Sequence, residues 1–283
     1  MHRMIIDFHT HVFTAHIREN RADYLRRDSC FRELYSHPES KLATAEDVVN
    51  HMDECGVDQS VILNFNWQSN GICRETNDYI LESVTLNSTK LVGFCTVQPS
   101  AGDDAIKELE RCIRNGIKGI GEIRPQVHNN KCVVDSVIQQ IMELAVKHNL
   151  IVLLHASEPV GHQYSGKGDL TPGVLYPYIL DFPDVKFVCA HWGGGLPFYA
   201  LMPEVDHALN NVYFDTAATP FLYKPNIFKQ MIDIIGSDKI LFGSDYPLMS
   251  SKRIIDQIEA VNLDSEDKNK ILWQNAQNLL SGS

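Results

Sequence analysis

The sequence has no run of about 18 apolar residues, so no helix that crosses a membrane is expected. It has no C-x-x-C pair. Its seven cysteines (Cys30, Cys55, Cys73, Cys95, Cys112, Cys132 and Cys189) are scattered and odd in number. That argues against a zinc finger or a disulfide framework and fits a reducing compartment. It has no excess of positive charge. Thirty-six acidic against 25 basic residues give a net charge of −11, whereas a phosphate-backbone footprint needs clustered Lys and Arg. Neither a nucleic-acid nor a membrane partner is expected. The opening "MHRMIIDFHTHVF" lacks the apolar core and cleavage site of a secretion signal, which points to the cytoplasm. Linkers, low-complexity tracts and shifts in composition are also missing. With 283 residues, 44 % hydrophobic and 22 % charged, the chain reads as one domain over 1–283 whose core needs no staple.

What is present is alternation. Short apolar runs occur at 4–12, 57–65, 91–99, 117–125, 150–157, 185–193, 212–217 and 239–247. Segments of helical period separate them. One runs from Thr44 as N-cap to Gly56, and another from Asp103 to Gly116 with Ile106, Leu109 and Ile113 on one stripe. A third carries Val137, Ile141, Leu144 and Ala145. A fourth opens at Pro225 and closes at Gly236, and the last begins at Ser265 with two acids in its first turn. Eight strand–helix units with near-continuous apolar strands point to an α/β fold, the (β/α)8 TIM barrel. An open doubly wound sheet is the structural rival. The stretch 14–43 reads as a long polar loop after the first strand.

The first strand ends "DFHTHV". Side chains alternate along a strand, so His9 and His11 face the same side. In a barrel that side is the interior at the C-terminal mouth, where two imidazoles can share a metal ion. Other strands end on similar groups: Glu122 on the fourth, His155 on the fifth, His191 on the sixth and Asp245 on the eighth. A single such residue is commonly structural, but a set from five strands converging on one mouth suits a divalent cation. Arg124 shares strand parity with Glu122. It either grips a substrate carboxylate in a two-pronged manner or pairs with Glu122.

These motifs resemble the amidohydrolase superfamily, and within it the amidohydrolase-2 branch. The resemblance rests on "DFHTHVF", "LLHASE", "AHWGGGLPF", "ILFGSDYP" and the terminal "NAQNLL", in the family's order and over nearly the whole chain. It implies a metal-dependent barrel enzyme with His9, His11 and His155 as ligands. Asp245 would be ligand, general base or both, and His191 a ligand of a second ion or a free acid. "GIGEIRP" is similar to the fourth strand of TatD-type deoxyribonucleases, in which a Glu bridges two metals. Read so, Glu122 completes a two-metal set with His9, His11, His155, His191 and Asp245. Lys118 sits at the strand's start, so a carboxylated-lysine bridge beside Glu122 is not expected. "HWGGGLPF" resembles zinc-dependent non-oxidative decarboxylases of the aminocarboxymuconate-semialdehyde type.

The chemistry expected is hydrolysis of a small molecule by a metal-activated water, with Asp245 moving its proton. The alternative is decarboxylation or hydration of a small unsaturated acid, with His191 delivering a proton to carbon. The expected cofactor is a divalent metal, Zn2+ foremost, as one or two ions. Substrate contacts are expected from Arg124, from His162 and Lys167 on the loop after strand five, and from Trp192 ahead of its three glycines. Gly161 to Lys167 nearly spells a phosphate-binding loop, but Gly168 replaces the required Ser or Thr. A homodimer through apolar outer-helix surface is a further expectation.

Overall fold

The computed structural model describes residues 3–282. Eight strands form one parallel sheet in chain order: β1 Ile6–His11, β2 Gln59–Leu63, β3 Leu91–Cys95, β4 Gly119–Ile123, β5 Ile151–Leu154, β6 Lys186–Cys189, β7 Val212–Asp215 and β8 Ile240–Leu241. The sheet closes on itself. Phe8 N–H donates to the Phe242 carbonyl at 2.8 Å, Asp245 N–H to His9 at 2.9 Å, and His11 N–H to Tyr246 at 2.7 Å. The fold is thus the (β/α)8 barrel, and the open sheet is excluded. No helix among the described residues is long and apolar enough to cross a membrane.

Two apolar layers fill it. Ile6, Phe8, Val61, Leu63, Phe94, Ile151, Leu153 and Val188 cluster inside the barrel. A larger set, including Val12, Ile120 and Ile123, packs between strands and helices. Strict alternation from Ile6 and Phe8 would turn His9 and His11 outward. The β1–β2 register shifts between Asp7 and Thr10, and that irregularity resets the parity so that both imidazoles face the mouth. The β4–β5 register shifts likewise between Ile120 and Ile123, which lets Glu122 face inward.

The helices follow their end signals. The helix Ala45–Cys55 has a reciprocal Thr44–Asp47 capping box and stops at Gly56, whose φ of 71° suits glycine. Asp135 caps Ser136–Lys147. The last helix starts at Ser265 under Asp264 as N-cap and passes through a π turn at Lys270–Gln274.

The stretch 14–43 is not an irregular loop. It holds three short helices, Ala15–Glu19, Arg21–Arg27 and Ser29–Tyr35. Three of its apolar residues, Ile17, Tyr24 and Phe31, fall seven apart and are buried in one cluster with Phe13, Phe65 and Trp67. Asp28 holds the third helix in place. Its carboxylate accepts from Phe31 N–H at 2.9 Å and from Gln68 N–H at 2.7 Å. This cap lies over the barrel mouth and carries Tyr35 to its edge.

Candidate active site

The structure brings His9, His11, Glu122, His155, His191 and Asp245 together at the C-terminal mouth, all buried. Glu122 stands between two groups. Its Oε2 lies 3.9 Å from His9 Nε2 and 3.6 Å from His11 Nε2. Its Oε1 lies 2.7 Å from His155 Nδ1 and 3.5 Å from His191 Nε2. Asp245 Oδ1 joins the first group, 3.2 Å from His11 Nε2 and 3.7 Å from His9 Nε2.

That first group fits a divalent cation. The two Nε2 atoms lie 3.1 Å apart, and bonds of about 2.1 Å set neighbouring ligand atoms about 3.0–3.4 Å apart. The donors are imidazole nitrogens and carboxylate oxygens, the usual set for zinc and related ions. Behind the ligands, Asp215 Oδ2 lies 2.8 Å from His9 Nδ1. Accepting that N–H keeps the His9 proton on Nδ1 and frees Nε2 for a cation. The other Asp215 oxygen accepts from His191 N–H at 2.9 Å and Ala217 N–H at 3.0 Å. Burial alone would depress the His9 pKa, but Asp215, Glu122 and Asp245 push it up to about 10. Cation binding must therefore displace a proton. We expect Asp215→Asn to weaken metal affinity by about 10–100-fold, as measured by competition with a chromophoric chelator.

His155 is held differently. Burial and the Arg124 guanidinium press its pKa down to about 4. Arg124 Nη2 is 3.3 Å from His155 Nε2, so that nitrogen is the acceptor and Nδ1–H donates to Glu122. Glu122 stays ionised. Burial opposes its charge, but His155, His191 and His9 hold it well below the ordinary carboxylate range. The ion pair with Glu122, the alternative to a substrate contact for Arg124, is not formed. Arg124 instead donates to the Gly166 carbonyl and reaches Glu33 Oε1 at 3.4 Å.

His191 sits in a left-handed turn, with φ of 56° there and 57° at Trp192. Such backbone costs about 1–2 kcal/mol per non-glycine residue. Two contacts enforce it: the Asp215 bond to His191 N–H and a 2.8 Å bond from Trp192 Nε1 to Thr219 Oγ1. Gly194 is required where the turn crosses Ser157, since a Cβ there would lie 2.3 Å from the Ser157 carbonyl oxygen. Trp192 itself is 0 % exposed and packs edge-on against Phe228. It is a core residue, and its expected substrate contact is corrected. The apolar ring lies behind the turn and not in the mouth.

A cavity of about 430 Å³ opens over the cluster. Tyr35, Phe65 and Phe221 wall it, with Arg124, His162 and Tyr164 along one side. Lys167 does not line it. Its Nζ ties its own loop together through the Val160 and His162 carbonyls at 2.9 and 3.1 Å, so the expected contact to substrate is corrected. Asp215 and Tyr35 were not among the expected site residues. "VYFDTA" carries a polar residue at a strand end, the same signal that marked the others. Tyr35 lies in a stretch read as loop and gave none.

A (β/α)8 barrel with buried histidines and carboxylates converging on a cavity at its mouth defines a divalent-metal-dependent barrel enzyme. The chain belongs to the Amidohydrolase family, whose model (Amidohydro_2) matches residues 6–281. It is 24 % identical to the gamma-resorcylate decarboxylase of Polaromonas sp. strain JS666, over 82 % of this chain and 85 % of that one. It is 25 % identical to the 2-amino-3-carboxymuconate-6-semialdehyde decarboxylase of Dictyostelium discoideum, over 71 % of this chain and 64 % of the relative. Its fold matches the Polaromonas sp. JS666 dihydroxybenzoic acid decarboxylase, solved with manganese and the inhibitor 2-nitroresorcinol. There the TM-score is 0.72 and the identity 21 %, with 99 % and 97 % of the two chains covered. Hydrolysis as the leading chemistry is thereby corrected: these relatives are carboxy-lyases. The motifs mark a metal-binding barrel mouth, which both chemistries share.

Proposed function

We propose that the chain is a divalent-metal-dependent, non-oxidative decarboxylase of a small aromatic or unsaturated carboxylic acid. The observation that carries this reading is the pairing of Arg124 with a proton-bearing His191 at one cavity. Arg124 offers N–H donors to a carboxylate. His191 Nδ1 lies 3.2 Å from the Ala217 carbonyl, which takes the Nδ1 proton and leaves Nε2 at the cavity. Burial depresses the His191 pKa, yet Glu122, Asp245 and Asp215 outweigh it and raise it to about 9. In the metal-free protein these carboxylates favour the doubly protonated ring.

His9, His11, Asp245 and Glu122 Oε2 would hold the cation. When bound, it supplies positive charge that polarises an oxygen of the substrate. Arg124 orients the carboxylate. Phe65 and Phe221 hold the flat body of the molecule and exclude water. As the bond between substrate carbon and carboxylate breaks, CO2 leaves and its electron pair stays on the carbon. His191 Nε2–H gives that carbon a proton, and solvent restores the imidazolium. Zn2+ fits the histidine-rich set, and Mn2+, found in the Polaromonas structure, fits the carboxylates.

A second reading concerns ion number alone. Glu122, His155 and His191 each offer a ligand atom within 4.8 Å of the others and form a second possible ligand group. We favour one ion, because His155 Nδ1 carries the proton it donates to Glu122.

The test is turnover of gamma-resorcylate and of 2-amino-3-carboxymuconate 6-semialdehyde by Mn2+- and Zn2+-loaded protein in 18O-water. Release of CO2 from either acid, with no label in the organic product of gamma-resorcylate, is the expected result, the aldehyde oxygen of the semialdehyde exchanging with water on its own. Label in the organic product without CO2 would restore the hydrolase or hydratase reading.

A further inference from the structure

Tyr35 is placed by the cap over the barrel and not by the barrel. Its ring stacks on Phe31 at 5.0 Å, meets the edge of Phe13 at 5.1 Å and leans on Phe65 at 5.9 Å. Its carbonyl is clamped by Arg21, whose Nε and Nη2 donate at 2.9 and 2.5 Å. The same guanidinium reaches the His37 carbonyl at 2.7 Å. Both ends of the residue are thus fixed, and the ring cannot swing aside without breaking the aromatic stack.

The side chain lines the same cavity as Glu122 and Asp245. Among the described residues its hydroxyl has no hydrogen-bond partner. Burial, reinforced by the charges of Asp245 and Glu122, raises its pKa well above the ordinary phenol value, so it remains a neutral donor. The ring is half-buried and leaves this donor open to water in the cavity, so a ligand that displaces that water must offer an acceptor in its place. Arg124 already supplies the cationic contact for a carboxylate. The oxygen left for Tyr35 is on the body of the substrate, at the metal-facing end.

We propose that the Tyr35 hydroxyl is a specificity-determining donor to an oxygen substituent flanking the reacting carbon of the substrate. It selects aromatic acids that carry a hydroxyl on both sides of that carbon over those with one only. The proposal rests on the decarboxylase reading and adds a residue from the cap to its site.

The test is calorimetric binding of 2-nitroresorcinol and 2-nitrophenol to Mn2+-loaded wild type and Tyr35→Phe. The two probes differ by one hydroxyl beside the nitro group. Phenylalanine keeps the ring and its stacking, so the cap keeps its place. We expect the variant to lose about tenfold in affinity for 2-nitroresorcinol and less than about twofold for 2-nitrophenol, the coupling expected of one hydrogen bond. Equal losses on both probes, or no loss on either, overturn the proposal and leave the decarboxylase reading standing. A wild type that binds neither probe and releases no CO2 in the turnover assay overturns both.

Discussion

Replacing His11 by alanine is expected to cut metal affinity by at least about 100-fold and to abolish turnover while the barrel stays folded. Loss of an outer partner already costs about 10–100-fold in such sites, and His11 stands closer than that. Its Nε2 sits 3.1 Å from His9 Nε2, 3.2 Å from Asp245 Oδ1 and 3.6 Å from Glu122 Oε2. Among the described residues its Nδ1 has no hydrogen-bond partner, so that side of the ring adds only packing to the fold. The measurement is metal per chain by elemental analysis after gel filtration. A parallel thermal melt with and without chelator separates binding from folding. A cation at a hundredfold excess over its dissociation constant stabilises the folded state by about 2.7 kcal/mol. Chelator should therefore lower the wild-type melting temperature and leave that of His11→Ala unchanged. Unchanged metal content in the variant would remove His11 from the site.

The convergence of His9, His11, Glu122, His155, His191 and Asp245 on one mouth was legible in the sequence because the barrel forces it. All strands run parallel, so polar residues late in successive apolar runs arrive at one mouth whatever the loops do. The orientation of those residues was less legible. His9 and His11 share parity with each other, but not with the interior-facing Ile6 and Phe8, and only the register shift in β1 reconciles the two sets. Glu122 depends on a similar shift in β4. Such irregularities leave no mark in a periodicity argument.

The cap was hidden for a different reason. Ile17, Tyr24 and Phe31 recur every seven residues within polar surroundings. Helices of five and seven residues carry too few apolar positions each to show a helical period. What orders them is tertiary: the shared aromatic cluster with Phe65 and Trp67, together with Asp28 bonding across to Gln68. Trp192 shows the converse error. A tryptophan beside a catalytic-looking histidine reads as a pocket wall. The left-handed turn at His191 and Trp192 sends the two side chains apart, one to the cavity and one to Phe228 and Thr219.

His191→Asn is expected to lower kcat by about 10²–10⁴-fold, the usual range for losing a positioned acid, with little change in KM. The size follows from the lack of a substitute. Asp245 is a poor acid, since burial opposes its charge but His11 and His9 hold its carboxyl below the ordinary range. Glu122 is likewise kept ionised. The Tyr35 phenol is raised well above its ordinary range, and His155 is neutral with its one proton committed to Glu122. Of these groups, His191 is the one that holds a proton to give at the cavity. Stopped-flow turnover and metal analysis on the same samples decide its role. Slow turnover with the wild-type metal content makes it the acid, and wild-type product formed in D2O should then carry deuterium at the carbon that lost CO2. A fall from two ions per chain to one makes it a ligand in a bridged pair with Glu122 and His155, and moves the search for the acid to the substrate itself.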